Sequence, residues 1–384
     1  MKVRYSYLKQ QFSNCEDLWK DLKKFVATGD FTLGKPLDEF ENKFAKLSGV
    51  KYSVGVNSGT DAIKLSLKAL GVKPGDEVIV PAQTHTATAH AVELTGGKPV
   101  FVDADKGTGN IDIDQIEGSI TDRTKAISVV HFLGMPVDMT RVLQIAGKYD
   151  LPVIEDCALA IGTYFNGIHA GLHGDIGCFS FYPVKHMTTA EGGMAITKNG
   201  ELAEAITRER AFGMDRHVGE RKLPGIYDVQ GLGFNYRMNE IQAVIGIEQI
   251  KRLPYFLKKR KENYEAMTQG LQEINEIELL ESSHDGFQSS YYCHTILLKG
   301  SLVEKRFDII NSLKSQGVGT SIYYPRPVPE MTYYKEKYGY DNNSFPIASW
   351  ISSHSIALPI GPHMDLDDVD YVIQTIKDTL VKTR

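Results

Sequence analysis

The four cysteines of this 384-residue chain, Cys15, Cys157, Cys178 and Cys293, stand far apart, and no Cys-x-x-Cys pair occurs. That spacing argues against a cysteine-built zinc or iron–sulfur centre, so no metal is expected, and it fits reduced thiols in a cytoplasmic protein. A basic stripe is missing too: Lys and Arg total 43 against 48 Asp and Glu, a net charge of -5. Nucleic-acid surfaces need concentrated positive charge. The densest run, Lys258-Lys259-Arg260-Lys261, continues through Tyr264 and Met267 in a helical pattern, as a solvated helix face does. No apolar run is long enough to span a bilayer, and Met1-Lys2-Val3-Arg4-Tyr5 opens no stretch of signal-peptide length, so neither membrane nor export is expected. Repeats, low-complexity tracts and Gly/Ser-rich linkers are likewise absent.

The chain does have 42% hydrophobic and 24% charged residues, ordinary for a globular protein, over a length at which a single core stops growing. One large and one smaller domain are expected, divided as residues 1–252 and 253–384, with the N-terminal helix packing on the smaller one. Short β-branched runs alternate with helical patterns between Tyr52 and Ile196. They predict strands at Ser53 to Val56, Glu77 to Val80, Pro99 to Val102, Ala126 to Val130, Val153 to Ile154, Gly177 to Phe181 and Gly193 to Ile196. This is an α/β pattern with a mostly parallel sheet. From Leu253 a long charged helix, strand-like segments at Tyr291 to Leu298 and Thr320 to Tyr324, and a closing helix from Leu366 predict a smaller C-terminal α+β domain.

Three segments carry candidate chemistry. In Asn57-Ser58-Gly59-Thr60-Asp61 a strand turns into a helix capped by Ser58. Free N–H groups at such a start favour a phosphate, although Ser, Thr and Asp cap helices everywhere. In Val153-Ile154-Glu155-Asp156-Cys157 two acids follow a strand, at the edge where parallel sheets bind ligands. Asp156 can pair with a protonated ring nitrogen or simply meet solvent; Glu155 alternates to the other face and reads as structural. In Phe179-Ser180-Phe181-Tyr182-Pro183-Val184-Lys185-His186, followed by Glu191-Gly192-Gly193, aromatic residues and backbone crowd a lysine. Crowding lowers its pKa and makes it a nucleophile toward an aldehyde, whereas most lysines reach solvent. Together an anchor, an electron-sink partner and a carbonyl partner match the needs of pyridoxal 5'-phosphate.

On these segments, and on Phe31-Thr32-Leu33-Gly34-Lys35-Pro36, Pro74-Gly75-Asp76-Glu77-Val78, Gly174-Asp175-Ile176-Gly177, Gly233-Phe234-Asn235-Tyr236-Arg237-Met238 and Leu358-Pro359-Ile360, the chain resembles the DegT/DnrJ/StrS family of sugar aminotransferases. The resemblance implies the type I fold of pyridoxal-phosphate (PLP) transferases, as in aspartate aminotransferase. It also implies that Lys185 carries the cofactor as a Schiff base and that Asp156 holds its ring nitrogen. Ser58, Gly59, Thr60 and Ser180 would bind the phosphate, with Asn235 reaching it from the second chain of a homodimer. Substrates would be an amino acid donor, glutamate by resemblance, and a keto-sugar, by resemblance nucleotide-linked, in amino-sugar or cell-surface polysaccharide synthesis. Tyr324, Arg326 and Arg237 stand where substrate contacts fall; Tyr182, His85 and His217 are further pocket candidates.

Departures are visible. His85 stands where the family stacks a larger aromatic on the ring, and Leu159 where a Gln meets the ring hydroxyl. The loop Tyr324-Pro325-Arg326-Pro327-Val328-Pro329 lacks the His that often follows it in the family. A dehydratase relative would carry His in place of the Schiff-base lysine, which makes His186 its candidate; counting from Ser180 and back from Glu191 places Lys185 at that position. A relative that has kept the fold and lost catalysis is the other alternative.

Overall fold

Residues Tyr52–Val56 (β1), Glu77–Pro81 (β2), Lys98–Val102 (β3), Thr124–Val130 (β4), Val153–Asp156 (β5), Tyr164–Phe165 (β6), Ile168–His169 (β7), Ile176–Ser180 (β8) and Gly193–Thr197 (β9) are strands. They come from a computed structural model that describes residues 2–383 except 216–222, 224–225 and 342. Seven of them form one sheet in the order β1-β9-β8-β5-β4-β2-β3. Pairing is parallel from β8 to β3, and β9 runs antiparallel to both β8 and β1. All seven expected strands are found, with ends within two residues of those read from the sequence.

These strands are apolar on both faces because helices cover both. Val78 and Val80 of β2 share a core with Ala62, Leu65, Ala89 and Val92 of the helices Gly59–Ala69 and Thr86–Glu93. Ile79, between them, joins Val142 and Ala146 of the helix Met139–Lys148. The same alternation puts Ile154 in the first core and Val153 in the second. Asp156 therefore points to the side of the helix Gly59–Ala69, and Glu155 to the other.

The helix Glu240–Leu271 opens with a capping box between Asn239 and Gln242 and contains Pro254. Ala243 and Leu253 pack with Phe40, Phe44, Phe179 and Phe181 beside the sheet, whereas Tyr264, Met267 and Leu271 pack in a C-terminal core. The helix thus starts before Leu253, where the sequence pattern changes. Its apolar stripe turns from one core to the other there, so the periodicity breaks where the backbone does not.

Ile277–Leu279 (β10), Phe287–Gln288 (β11), His294–Leu298 (β12) and Ser355–Leu358 (β13) complete the strands. β10, β12 and β13 form an antiparallel sheet, and β11 pairs with β6. The strand expected at Thr320 to Tyr324 is absent: Ser321 alone exchanges backbone bonds with Ala357, of 3.0 and 2.9 Å. Pro325, Pro327 and Pro329 have no N–H to extend a ladder. That segment instead crosses to the large sheet, where Val328 N–H donates to the Ala82 carbonyl at 3.0 Å and Gln83 Nε2 to the Tyr323 carbonyl at 3.3 Å. The helix Leu366–Thr383 closes the C-terminal core, which also takes in Val3 through a bridge to Val318. No helix among the described residues is long and apolar enough to cross a membrane.

Candidate active site

At the C-terminal edge of β5 the Asp156 carboxylate is fixed at both oxygens. Oδ1 accepts from the Ala158 N–H at 3.0 Å and Oδ2 from the Thr88 hydroxyl at 2.8 Å. Thr88 is in turn 2.9 Å from the hydroxyl of Thr84. Glu155, on the opposite face, is wholly buried and bonds His131 Nε2 at 2.9 Å and the N–H groups of Gly171, His173 and Gly174. Burial pushes its carboxyl up, but the bonds from His131, Gly174 and Gly171 outweigh that and hold it below the ordinary value. His131, Glu155 and Cys157 lie close enough to resemble metal ligands. Glu155 already accepts from His131 and three N–H groups here, and burial pushes the Cys157 thiol well up.

The helix Gly59–Ala69 starts at the edge of the cavity. The Ser58 hydroxyl caps it, accepting from Asp61 N–H at 3.1 Å and donating to Asp61 Oδ2 at 2.8 Å. First-turn N–H groups have no partner within a helix. A Cβ on Gly59 would lie 2.8 Å from the Ser180 Cβ, and one on Gly193 would lie 2.3 Å from the Ser58 carbonyl oxygen. Glycine at these two positions lets the helix start close on β8 and β9, with Ser180 beside it.

Lys185 lies in the loop between β8 and β9. Burial of its ammonium end lowers its pKa to about 8, partly offset by Asp156. Its Nζ is 5.7 Å from the centroid of the Tyr292 ring. Its neighbour His186 turns away: the imidazole is buried, meets the Ser290 carbonyl at 3.0 Å, and is held well below its usual pKa by burial and by Arg260. Of the two neighbours, the lysine lines the cavity and the histidine lies behind it.

A cavity of ≈ 390 Å³ joins these groups, lined by Ser58, Gly59, Thr60, His85, Asp156, Leu159, Ser180, Tyr182, Lys185 and Tyr324, among others. His85 caps the helix Thr86–Glu93 through Nδ1 and meets Tyr324 edge to face at 5.6 Å. Its pKa is lowered by burial and then by Lys185, which favours the neutral, stacking imidazole. Thr84, Thr88 and Tyr292 were not singled out from the sequence. The helix Thr86–Glu93 brings Thr88 to Asp156, and Thr84, just before the helix, bonds Thr88. Asn235, Arg237 and Arg326 do not line this cavity in the single chain. Asn235 is exposed and bridges Ala211, Arg237 bridges Val56 and lies over the Phe212 ring, and Arg326 faces outward. His217 lies outside the described residues.

The reversed strand in a parallel sheet and the chemistry gathered at its edge define a PLP-dependent transferase of the aspartate aminotransferase type. Within that class, the model of the DegT/DnrJ/EryC1/StrS aminotransferase family matches residues 13–377, and the chain belongs to that family. It is 36% identical over 346 residues to GDP-perosamine synthase of Escherichia coli O157:H7, covering 90% of each chain. It is 35% identical over 374 residues to the UDP-N-acetyl-3-dehydro-alpha-D-glucosamine 3-aminotransferase of Acidithiobacillus ferrooxidans, covering 95% of this chain and 94% of the other. Among solved structures it superimposes on S. venezuelae DesV in complex with a ketimine intermediate, with a TM-score of 0.91, 30% identity and 98% of each chain covered. The protein is a PLP-dependent sugar aminotransferase. Its cavity fits the cofactor: the glycine-lined helix start suits a phosphate, the Asp156 carboxylate a ring nitrogen, and the lysine an aldehyde.

Proposed function

We propose that the chain transfers the amino group of an amino acid, L-glutamate by family resemblance, to a nucleotide-linked keto-sugar in the cytoplasm, acting as a homodimer. The observation that carries this reading is Lys185, its pKa lowered to about 8, in one cavity with Asp156 and the Gly59 helix start. The nucleotide is supported by relatives whose names specify GDP-linked and UDP-linked sugars. Residues 1–252 would hold the cofactor and 253–384 would close the cavity, from which Tyr324 lines it.

Bound in this cavity, PLP supplies an electrophilic carbonyl and an electron sink. The Gly59 and Thr60 N–H groups and the Ser180 hydroxyl would hold the phosphate. Asp156, oriented by Thr88 and Ala158, offers its carboxylate to the ring nitrogen. Lys185 Nζ would take the α-carbon proton of the donor, which lets the donor give up its amino group and leave, with oxygen from water, as a 2-oxo acid. In the second half it returns a proton to the sugar carbon that becomes the amine-bearing carbon. His85, which lines the cavity, would pack on the ring and help keep water from it. Asn235 completes the phosphate site of the partner chain, which accounts for its exposure here.

The test is to incubate the enzyme with glutamate and a panel of nucleotide-linked 3-keto and 4-keto sugars, with free keto-sugars and sugar phosphates as controls, and to follow 2-oxoglutarate. Release with a nucleotide-linked member alone supports the proposal. Turnover confined to the controls overturns the nucleotide.

A further inference from the structure

The placements above leave one polar atom of the cofactor without a partner. PLP is a 3-hydroxypyridine, and its ring oxygen lies between the ring nitrogen and the aldehyde carbon, on the edge away from the phosphate arm. With the nitrogen at Asp156, the aldehyde at Lys185 and the phosphate at Gly59, that edge would face Ala158 and Leu159, which follow Asp156 in the chain and line the cavity. Neither side chain can donate a hydrogen bond. A phenolate oxygen enclosed without a protein donor loses the hydrogen bonds that water gave it.

Most hydroxyls around the cavity are committed elsewhere. Ser58 is bonded to Asp61, Thr84 to Thr88, and Tyr292 to Tyr323 at 3.2 Å. Tyr182 is 48% exposed and belongs to the Ser180 side, where the phosphate lies. Tyr324 differs. It lines the cavity, packs against the cluster that contains Leu159 and Phe132, and its hydroxyl bonds no protein group among the described residues. Its ring is held on two sides, edge to face with His85 at 5.6 Å and with Phe132 at 6.3 Å.

We propose that Tyr324, rather than serving the sugar, donates its hydroxyl to the ring oxygen of PLP and supplies the contact that Leu159 cannot make. This rests on the cofactor placement given under Proposed function. Burial, then Tyr323 and Asp156, push the Tyr324 phenol well up, so it keeps the proton that a donor needs. Because Tyr324 belongs to the segment that crosses from the smaller domain, the contact also ties that domain to the cofactor.

The test compares wild type and Tyr324→Phe for binding of PLP and of 3-deoxypyridoxal 5'-phosphate, which lacks the ring oxygen, by spectroscopic titration of the apoenzyme. The variant should bind PLP about tenfold more weakly, as loss of one charge-assisted bond requires, and the deoxy analogue within about twofold of wild type. The pH at which the visible band of the holoenzyme interconverts should also rise in the variant, because the donor stabilises the form with the fuller negative charge on oxygen. Equal losses for both ligands, as a packing role would give, or no loss for either, overturns the proposal. A wild type that forms no visible band linked to Lys185 would instead overturn the cofactor placement, and the Tyr324 assignment with it.

Discussion

The hydroxyl of Thr88 donates to Asp156 Oδ2 at 2.8 Å across 68 positions of sequence, and it is the side-chain bond that fixes this carboxylate. Thr88→Val removes the donor at nearly constant volume. PLP affinity should fall about tenfold, in line with the loss of one hydrogen bond to a charged group, and Thr88→Ser should recover most of it. Titration of the apoenzyme with PLP measures both; a Val variant that binds as wild type does would show that Ala158 alone orients Asp156.

Lys185 should be the point of covalent attachment. Borohydride treatment of the holoenzyme should bleach its visible band and leave a reduced pyridoxyl label on the Lys185 peptide, and Lys185→Ala should show neither band nor transamination. A label on another lysine, found by peptide mass spectrometry, would remove Lys185 from this role.

The lowered pKa of Lys185 has a direct kinetic consequence. The free amine is the reactive form, so the rate at which apoenzyme captures PLP should climb through a midpoint near pH 8 rather than above 10. Asp156 opposes the lowering, so Asp156→Asn should move that midpoint to lower pH. Stopped-flow absorbance across pH 6 to about 10 reads the midpoint in both proteins. A shift to higher pH in the variant would contradict the electrostatic coupling.

Gly59→Ala should separate phosphate binding from ring binding. The new methyl would sit 2.8 Å from the Ser180 Cβ, forcing the helix start away from β8 at a cost of about 1–3 kcal/mol. PLP affinity should drop well over tenfold while pyridoxal, which has no phosphate, loses little. Parallel losses for the two ligands would place the phosphate elsewhere.

Mixing two inactive variants tests the shared site. In a heterodimer of Lys185→Ala and Asn235→Ala, one site has both defects and the other has neither. Random reassortment should restore about one quarter of wild-type activity. Variants that stay inactive after verified subunit exchange would confine Asn235 to its own chain.

Much of this was legible in the sequence because the signals are local. The seven strands of the sheet are short β-branched runs between turns, Ser58 announces a helix start, and Lys185 is counted from Ser180 and from Glu191-Gly192-Gly193. What was hidden depends on contacts between distant segments. Thr88 looks like any helical threonine until the helix Thr86–Glu93 is laid against β5. Tyr292 comes under Lys185 only when the C-terminal sheet docks. The start of the helix Glu240–Leu271 was obscured because its apolar stripe serves two cores in turn. Asn235, Arg237 and Arg326 are marked only by their position in motifs, and in the single chain they lie outside the cavity.

The helix Glu240–Leu271 contributes to two cores, so neither can be cut away with its packing intact. Cutting the chain at residue 252 would strip Leu253 and Phe256 from their burial on one side and leave Tyr264, Met267 and Leu271 without a rigid base on the other. Denaturation should therefore be a single cooperative event, with ellipticity and PLP absorbance lost together, and limited proteolysis should release no folded half.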